Sequence, residues 1–261
     1  MEFDVATFNS MCLMTFLCSA VVSTALARMF KRVAAFRYWS VAFFLMSVAA
    51  ACFGLHSGWP TNLLLIATAT FGLQSGLLVW MGTRVLFGAA ASLRVGFAVT
   101  ALFCVLFSLA HRFHAPPLCR AALLALFFLP CRALTVYEVC RRRRPDLGPA
   151  RLLVVIASVI ASLNAAAPLA LVLLNRANLS IMVGNPQSTS ALYAVVFAGD
   201  LLLIIGLIVL ALQHVIVEQD ILASLDRGTT QHANPARATI PCEPSEQPAP
   251  VVQRATLADL T

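Results

Sequence analysis

Seven long apolar stretches occupy most of the first 217 residues of this chain. Crossing the hydrocarbon of a bilayer takes about 20 apolar residues of α-helix. The stretches cover residues 7–27, 36–55, 61–83, 95–110, 118–140, 151–174 and 191–217. They predict an all-α fold, a polytopic membrane protein built as a bundle of seven transmembrane helices.

The composition supports one membrane domain followed by a polar tail. Only 11% of the residues are charged and 60% are hydrophobic, whereas a soluble domain carries about 25% charged residues. After Arg227 the chain becomes rich in Pro, Thr, Ala and Gln, a composition that does not build a packed core. We therefore expect a transmembrane domain over residues 1–227 and a disordered cytoplasmic tail over residues 228–261.

Basic residues alternate between the connections that join the apolar stretches. The first, third and fifth connections are basic, and the intervening connections are poor in Lys and Arg; the basic ones contain Arg28, Lys31, Arg32, Arg37, Arg84, Arg94, Arg141, Arg142, Arg143, Arg144 and Arg151. The positive-inside rule then places the N-terminus outside and the C-terminal tail in the cytoplasm. Because the net charge of +7 is distributed in this way and does not form one basic face, no nucleic-acid partner is expected. Glu2 and Asp4 precede the first stretch, so we interpret it as a spanning helix and not as a cleaved signal.

Four polar side chains fall inside the predicted spans. They are Asp200, Arg132, Asn164 and Gln74. Lipid penalises such groups, so they mark either a functional site or a structural hydrogen-bond network. The functional interpretation is a ligand or ion pocket between helices, and the structural one is a set of contacts that fixes the bundle. Asp200 and Arg132 have opposite charges, and their pairing would need helix tilt or the full reach of the arginine.

Gly72 and Gly76 have the GxxxG spacing in the third span. This spacing lets two helices approach closely. It predicts packing against a neighbour within the bundle or, alternatively, the face of a homodimer.

No catalytic or metal-binding motif is visible in the sequence. His111 and His114 are three residues apart, which suits two metal ligands, but no third ligand completes the set. Protease, nucleotide-binding and esterase motifs are absent. We therefore expect no enzymatic activity, no cofactor and no metal.

The last apolar stretch continues beyond its span with heptad-like spacing. Ile208, Ala211, Val215, Glu218, Leu222 and Leu225 occupy these positions. The spacing is typical of a short coiled coil. The alternative is an amphipathic helix end lying on the membrane surface.

Three segments resemble the membrane input region of bacterial GGDEF-type diguanylate cyclases. The first two are Phe36–Phe43, with its basic-aromatic start FRYWS, and Pro60–Ala67. The third is Gly76–Gly88, which includes Trp80, Arg84 and Phe87. Val217–Leu222 is similar to the linker that leads into the cyclase domain in that family, but no Gly-Gly-Asp-Glu-Phe-like sequence follows it here. The resemblance implies a sensory input module in a bacterial inner membrane, without its own output domain.

These observations favour an integral inner-membrane protein that acts as a signal-input module. Its expected partners are the lipid bilayer, a cytoplasmic or membrane signalling partner and, through Gly72 and Gly76, a second copy of the chain. The alternatives are a small transporter or permease subunit, for which Asp200, Asn164 and Arg132 would line a water-filled path, and a membrane assembly factor.

Overall fold

The computed structural model describes residues 5–58, 62–141, 148–174 and 186–232. Within these ranges the chain forms seven α-helices and no strand. They are α1 (Val5–Met29), α2 (Ala35–Gly58), α3 (Asn62–Leu86), α4 (Leu93–Arg112), α5 (Pro117–Arg141), α6 (Gly148–Leu174) and α7 (Pro186–His232). The predicted all-α, seven-helix fold is confirmed.

All seven helices are long and apolar enough to cross a bilayer. Many large apolar side chains point outward, among them Val21, Val41, Phe97, Leu126 and Leu163. A water-soluble protein rarely exposes apolar surface on this scale, whereas lipid is a good solvent for it. The chain is a multi-pass membrane protein.

Several hydroxyl groups inside the spans are satisfied locally. Ser19, Thr68, Thr83, Thr135 and Ser162 each donate to the carbonyl oxygen four residues earlier in their own helix. This pattern lets a polar side chain enter lipid without an unmet hydrogen bond.

Short turns reverse the chain between helices. Gly88, with a φ of 72°, follows α3, and His114, with a φ of 49°, follows α4. Pro117 begins α5, a position where the missing N–H costs nothing. Because few residues separate consecutive membrane-spanning helices in the sequence, alternate helix ends lie on the same side of the membrane. We name the side with the ends of α1, α3 and α5 the basic face, and the opposite side the N-terminal face.

A close-packed core fills the half of the bundle near the basic face. One apolar cluster here contains five fully buried side chains: Phe36, Trp39, Val154, Leu207 and Leu210. Trp39 Nε1 also donates to the Val79 carbonyl oxygen at 3.3 Å, which joins α2 to α3. Tight packing here positions α2, α3, α6 and α7 relative to one another.

Helix α7 is longer than the predicted span and continues to His232, beyond the boundary expected at Arg227. Ile208, Ala211 and Val215 pack within the bundle, where Ala211 is fully buried. These three positions therefore serve the protein's own core and are not a free coiled-coil seam. Three sets of predicted features lie outside the described part of the structure: the side chains of Glu218, Leu222 and Leu225, the cations Arg142, Arg143 and Arg144, and residues 233–261 of the tail predicted over residues 228–261.

The chain divides into two compact units, Met1–Glu218 and Gln219–Thr261. All seven candidate spans belong to the first unit. The cavities around Asp200 lie within it as well.

Candidate functional site

Three of the four predicted polar residues line one cavity. Arg132 of α5, Asn164 of α6 and Asp200 of α7 surround a space of about 240 Å³. Its remaining wall is formed by Met46, Leu124, Phe128, Ala161 and Ala165. The structure thus places side chains from three different helices around a common volume.

A larger, apolar cavity adjoins the polar one. It has a volume of about 390 Å³ and shares Asp200, Met46, Leu124 and Phe128 with its neighbour. Most of its other wall residues are apolar: Phe8, Cys12, Phe16, Ala49, Ala50, Phe53, Leu65, Ala69, Gly72 and Phe107. Asp200 therefore stands at the boundary between an apolar chamber and a polar one. We name the two chambers together the Asp200 cavity.

The two ionisable side chains of the cavity are not in direct contact. Arg132 and Asp200 are a base and an acid that line the same polar chamber. No direct ion pair or hydrogen bond joins these two side chains, both of which belong to the described residues. Each is only half-buried, because each faces the open cavity. A charge so far from bulk water is stabilised by a partner of opposite charge or by polar groups, and the space beside this pair can accept them.

The Asp200 cavity lies in the half of the bundle near the N-terminal face. Its wall uses the first half of α1, the second half of α2 and the first half of α3. The core around Trp39 and Leu207 fills the opposite half. The cavity therefore ends against packed side chains before it reaches the basic face.

The cavity suits a small molecule with an apolar body and a polar group. Sites for small molecules combine a mostly apolar wall with a few polar side chains that fix orientation. Here the apolar chamber can hold the body, and Asp200, Arg132 and Asn164 can hold the polar group by charge and hydrogen bonding.

Gln74, the fourth predicted polar residue, lies elsewhere. Its side-chain oxygen accepts a hydrogen bond from the Thr100 hydroxyl of α4. Both side chains are buried. The contact links α3 to α4, which agrees with the structural interpretation for this residue.

Gly72 and Gly76 face α5 of the same chain. A Cβ atom at Gly72 would lie 3.7 Å from Phe128, and one at Gly76 would lie 4.0 Å from Cys131. Both distances are ordinary van der Waals contacts, so neither glycine is needed for an unusually close approach. Gly72 instead leaves room in the wall of the Asp200 cavity.

His111 and His114 have different environments. The His111 ring is buried and packs edge-to-face on Phe107, with 4.9 Å between ring centroids. His114 is exposed in the turn after α4. Among the described residues, no cluster of three or more His, Cys, Asp or Glu side chains could hold a metal ion.

One ion pair was not predicted from the sequence. Arg84 Nε of α3 lies 3.3 Å from Glu138 Oε1 of α5, and Glu138 is 8% exposed. The Arg84 N–H is not aligned for a hydrogen bond to it, so the contact is mainly electrostatic. Arg84 also lies over the Trp80 ring at 5.2 Å. An acid one turn before the end of α5 was the available signal, but spacing alone does not identify its partner.

Comparison with known proteins identifies no relative of this chain. No protein-family model matches the chain, and no curated protein or solved structure matches it.

Proposed function

We propose that this protein is a membrane sensor that binds a small molecule with an apolar body and a polar group in the Asp200 cavity. The observation that carries the proposal is the convergence of Arg132, Asn164 and Asp200 beside an apolar chamber. The resemblance of Phe36–Phe43 and Gly76–Gly88 to cyclase input regions supports the same function.

We further propose that the protein lies in a bacterial inner membrane with a defined orientation. The basic connections favour the N-terminus outside and the C-terminus in the cytoplasm. The Asp200 cavity then lies in the outer half of a bacterial inner membrane, where it is accessible to molecules from outside or from the outer leaflet. In this proposal the chain binds and signals, and it catalyses no reaction.

Helix α7 is the proposed route for the signal. It carries Asp200 and continues past Val217 toward the C-terminus. A ligand between Asp200, Arg132 and Asn164 would contact α5, α6 and α7 together. Ligand binding shifts a conformational equilibrium only as far as these contacts differ between two arrangements of the helices. We propose that α7 changes its position against α6 and that a cytoplasmic or membrane partner detects this change.

Transport is the second candidate function. A charged pair beside a cavity within the membrane is a feature of many transporters. The packed core around Trp39 and Leu207 favours sensing instead, because it closes the bundle between the cavity and the basic face. A transporter would have to open this core during its cycle.

Copurification of a ligand tests the binding step. The full chain is purified in mild detergent, and its bound small molecules are identified by mass spectrometry. We expect one compound to be enriched with the wild-type protein and to be lost from Asp200→Asn and from Ala50→Phe, which fills the cavity wall. Ala98→Phe is the matched control, because Ala98 is exposed on α4 and lies outside the cavity.

The outcome separates the candidate functions. A compound retained equally by all four proteins would refute a binding site at Asp200. If the compound crosses the membrane of proteoliposomes that contain the wild-type protein but not Asp200→Asn, the transport function is correct. If the compound binds without flux, removal of residues 218–261 should preserve binding and abolish the cellular response. An unchanged response would exclude α7 as the route.

A further inference from the structure

A groove on the lipid-facing surface between α1 and α2 is separate from the Asp200 cavity. It has a volume of about 720 Å³. Its sides are formed by Leu17, Val21, Val41 and Phe44, all exposed. Since these side chains face the bilayer, the groove is open to lipid along its length.

The groove is as long as one leaflet. It begins at Leu17, in the middle of α1, and ends at Arg28, at the basic face. Eleven residues of α-helix rise about 16 Å, and half of the bilayer hydrocarbon is about 15 Å thick. The groove therefore spans the depth that an acyl chain occupies in the leaflet at the basic face.

The groove contains few free polar groups. The Thr24 and Ser40 hydroxyls share a hydrogen bond across the two helices, and Thr24 also donates to the Ala20 carbonyl oxygen at 2.7 Å. Ala20 and Ala25 supply small side chains that leave the space open. An apolar chain suits such a floor better than a polar ligand does.

The end of the groove is strongly basic. Arg28 lines it, and Lys31, Arg32 and Arg37 follow in the connection and the first turn of α2. All four side chains are exposed. Residues 5–58 contain no Asp or Glu, so no acidic side chain of α1 or α2 neutralises these cations. Such clusters beside a membrane attract anionic lipid headgroups.

We propose that this groove binds an anionic phospholipid from the leaflet at the basic face. One acyl chain lies between α1 and α2, and Arg28 holds the phosphate. The neighbouring cations favour a headgroup with net negative charge over a zwitterionic one. This inference does not depend on the proposed sensor function.

Native mass spectrometry of the full chain tests the proposal. The protein is released from detergent micelles after addition of phosphatidylglycerol or phosphatidylcholine with identical acyl chains. We expect the first phosphatidylglycerol to bind at least tenfold more tightly than phosphatidylcholine. Equal affinity for the two lipids would overturn the proposal, and so would a dimer that Ala25→Phe disrupts without any lipid preference, because a second copy of the chain would then occupy the groove.

Two substitutions with matched controls locate the site. Ala25→Phe fills the groove and should prevent binding of the first phosphatidylglycerol, whereas Val22→Phe, on an exposed position outside the groove, should not. Arg28→Gln should weaken phosphatidylglycerol at least fivefold, whereas Arg94→Gln, another exposed cation at the basic face, should leave its affinity unchanged. If Ala25→Phe does not fold, the arginine pair decides the test. If the site variant and its control in either pair lost phosphatidylglycerol affinity equally, the proposal would be overturned.

Discussion

At the residue scale, glycine has different roles at Gly82 and Gly72. A Cβ atom at Gly82 would lie 2.4 Å from Trp39 Nε1, closer than real atoms approach. Trp39 is fully buried and donates to Val79, so its ring has little freedom to move. Gly72 has no such neighbour. The packing therefore requires glycine at position 82, outside the GxxxG pair, and does not require it at Gly72.

We expect Gly82→Ala to destabilise the protein by about 1–3 kcal/mol, the usual cost of inserting a methyl group into a tight core. Gly72→Ala is the control, and it should be neutral or stabilising by up to ~1 kcal/mol, because alanine favours helix. The measurement is the midpoint of unfolding in mixed micelles of sodium dodecyl sulfate, followed by circular dichroism. Equal effects of the two substitutions would contradict the packing at Trp39.

The ion pair between Arg84 and Glu138 gives a second prediction at this scale. Arg84 is 31% exposed, so solvent screens part of the attraction. We expect a coupling of about 1 kcal/mol between the two side chains. A double-mutant cycle with Arg84→Gln, Glu138→Gln and the combined variant measures this coupling from unfolding midpoints. Strictly additive effects would show that the pair contributes nothing.

The polar residues show how far sequence reasoning extends. Asp200, Arg132 and Asn164 are recognisable in the sequence, because lipid penalises polar groups inside spans. Their meeting at one cavity is not recognisable, because it depends on how α5, α6 and α7 are arranged. Glu138 was missed for a related reason. It lies near a helix end, where a charged residue is ordinary, and only the packing of α3 against α5 identifies Arg84 as its partner.

At the element scale, Arg151 joins the end of α5 to the beginning of α6. A cation in the first turn of a helix opposes the helix dipole. Arg151 Nε nevertheless donates to the Val139 carbonyl oxygen at 2.9 Å, and its terminal nitrogen reaches the carbonyl oxygens of Val139 and Cys140. These carbonyls belong to the last turn of α5, where no intrahelical donor remains for them. Arg151 therefore stabilises α5 more than it stabilises its own helix.

Arg151→Gln should loosen the last turn of α5. We expect faster amide hydrogen exchange near Val139 and Cys140, while the exchange of α3 stays unchanged. Arg141→Gln is the control, because Arg141 is an exposed cation of the same turn that lies over the Tyr137 ring at 5.8 Å. If both substitutions accelerate exchange equally, loss of local charge and not the hydrogen bonds of Arg151 explains the effect.

Helix positions were more predictable than helix ends. The predicted spans for α1 to α6 lie within three residues of the observed helices at every end, because hydropathy marks the lipid-facing part well. Helix α7 differs most, since it begins at Pro186 and ends at His232. Its polar flanks can continue a helix without crossing lipid, so hydropathy does not detect them. Of the heptad-like positions, Ile208 and Ala211 serve the core of the bundle, and the coiled coil beyond the span stays a prediction.

At the scale of the whole molecule, the two sides of the bundle differ in packing and charge. The basic face has a packed core beneath it, and the opposite half contains the Asp200 cavity. The groove between α1 and α2 reaches only the basic face. A sensor with this arrangement would receive its ligand on one side of the membrane and signal on the other. The orientation of the bundle therefore decides which compartment supplies the ligand.

The native cysteines of α5 provide a direct measurement of that orientation. Cys119 and Cys140 are free, exposed and near opposite ends of the same helix. In two variants, each of which retains one of them while alanine replaces the other cysteines, we expect a membrane-impermeant maleimide to label Cys119 in intact cells. Cys140 should react only after permeabilisation, because the positive-inside rule places the basic end of α5 in the cytoplasm. The reverse pattern would put the Asp200 cavity in the inner half of the membrane, and its ligand would then have to come from the cytoplasm.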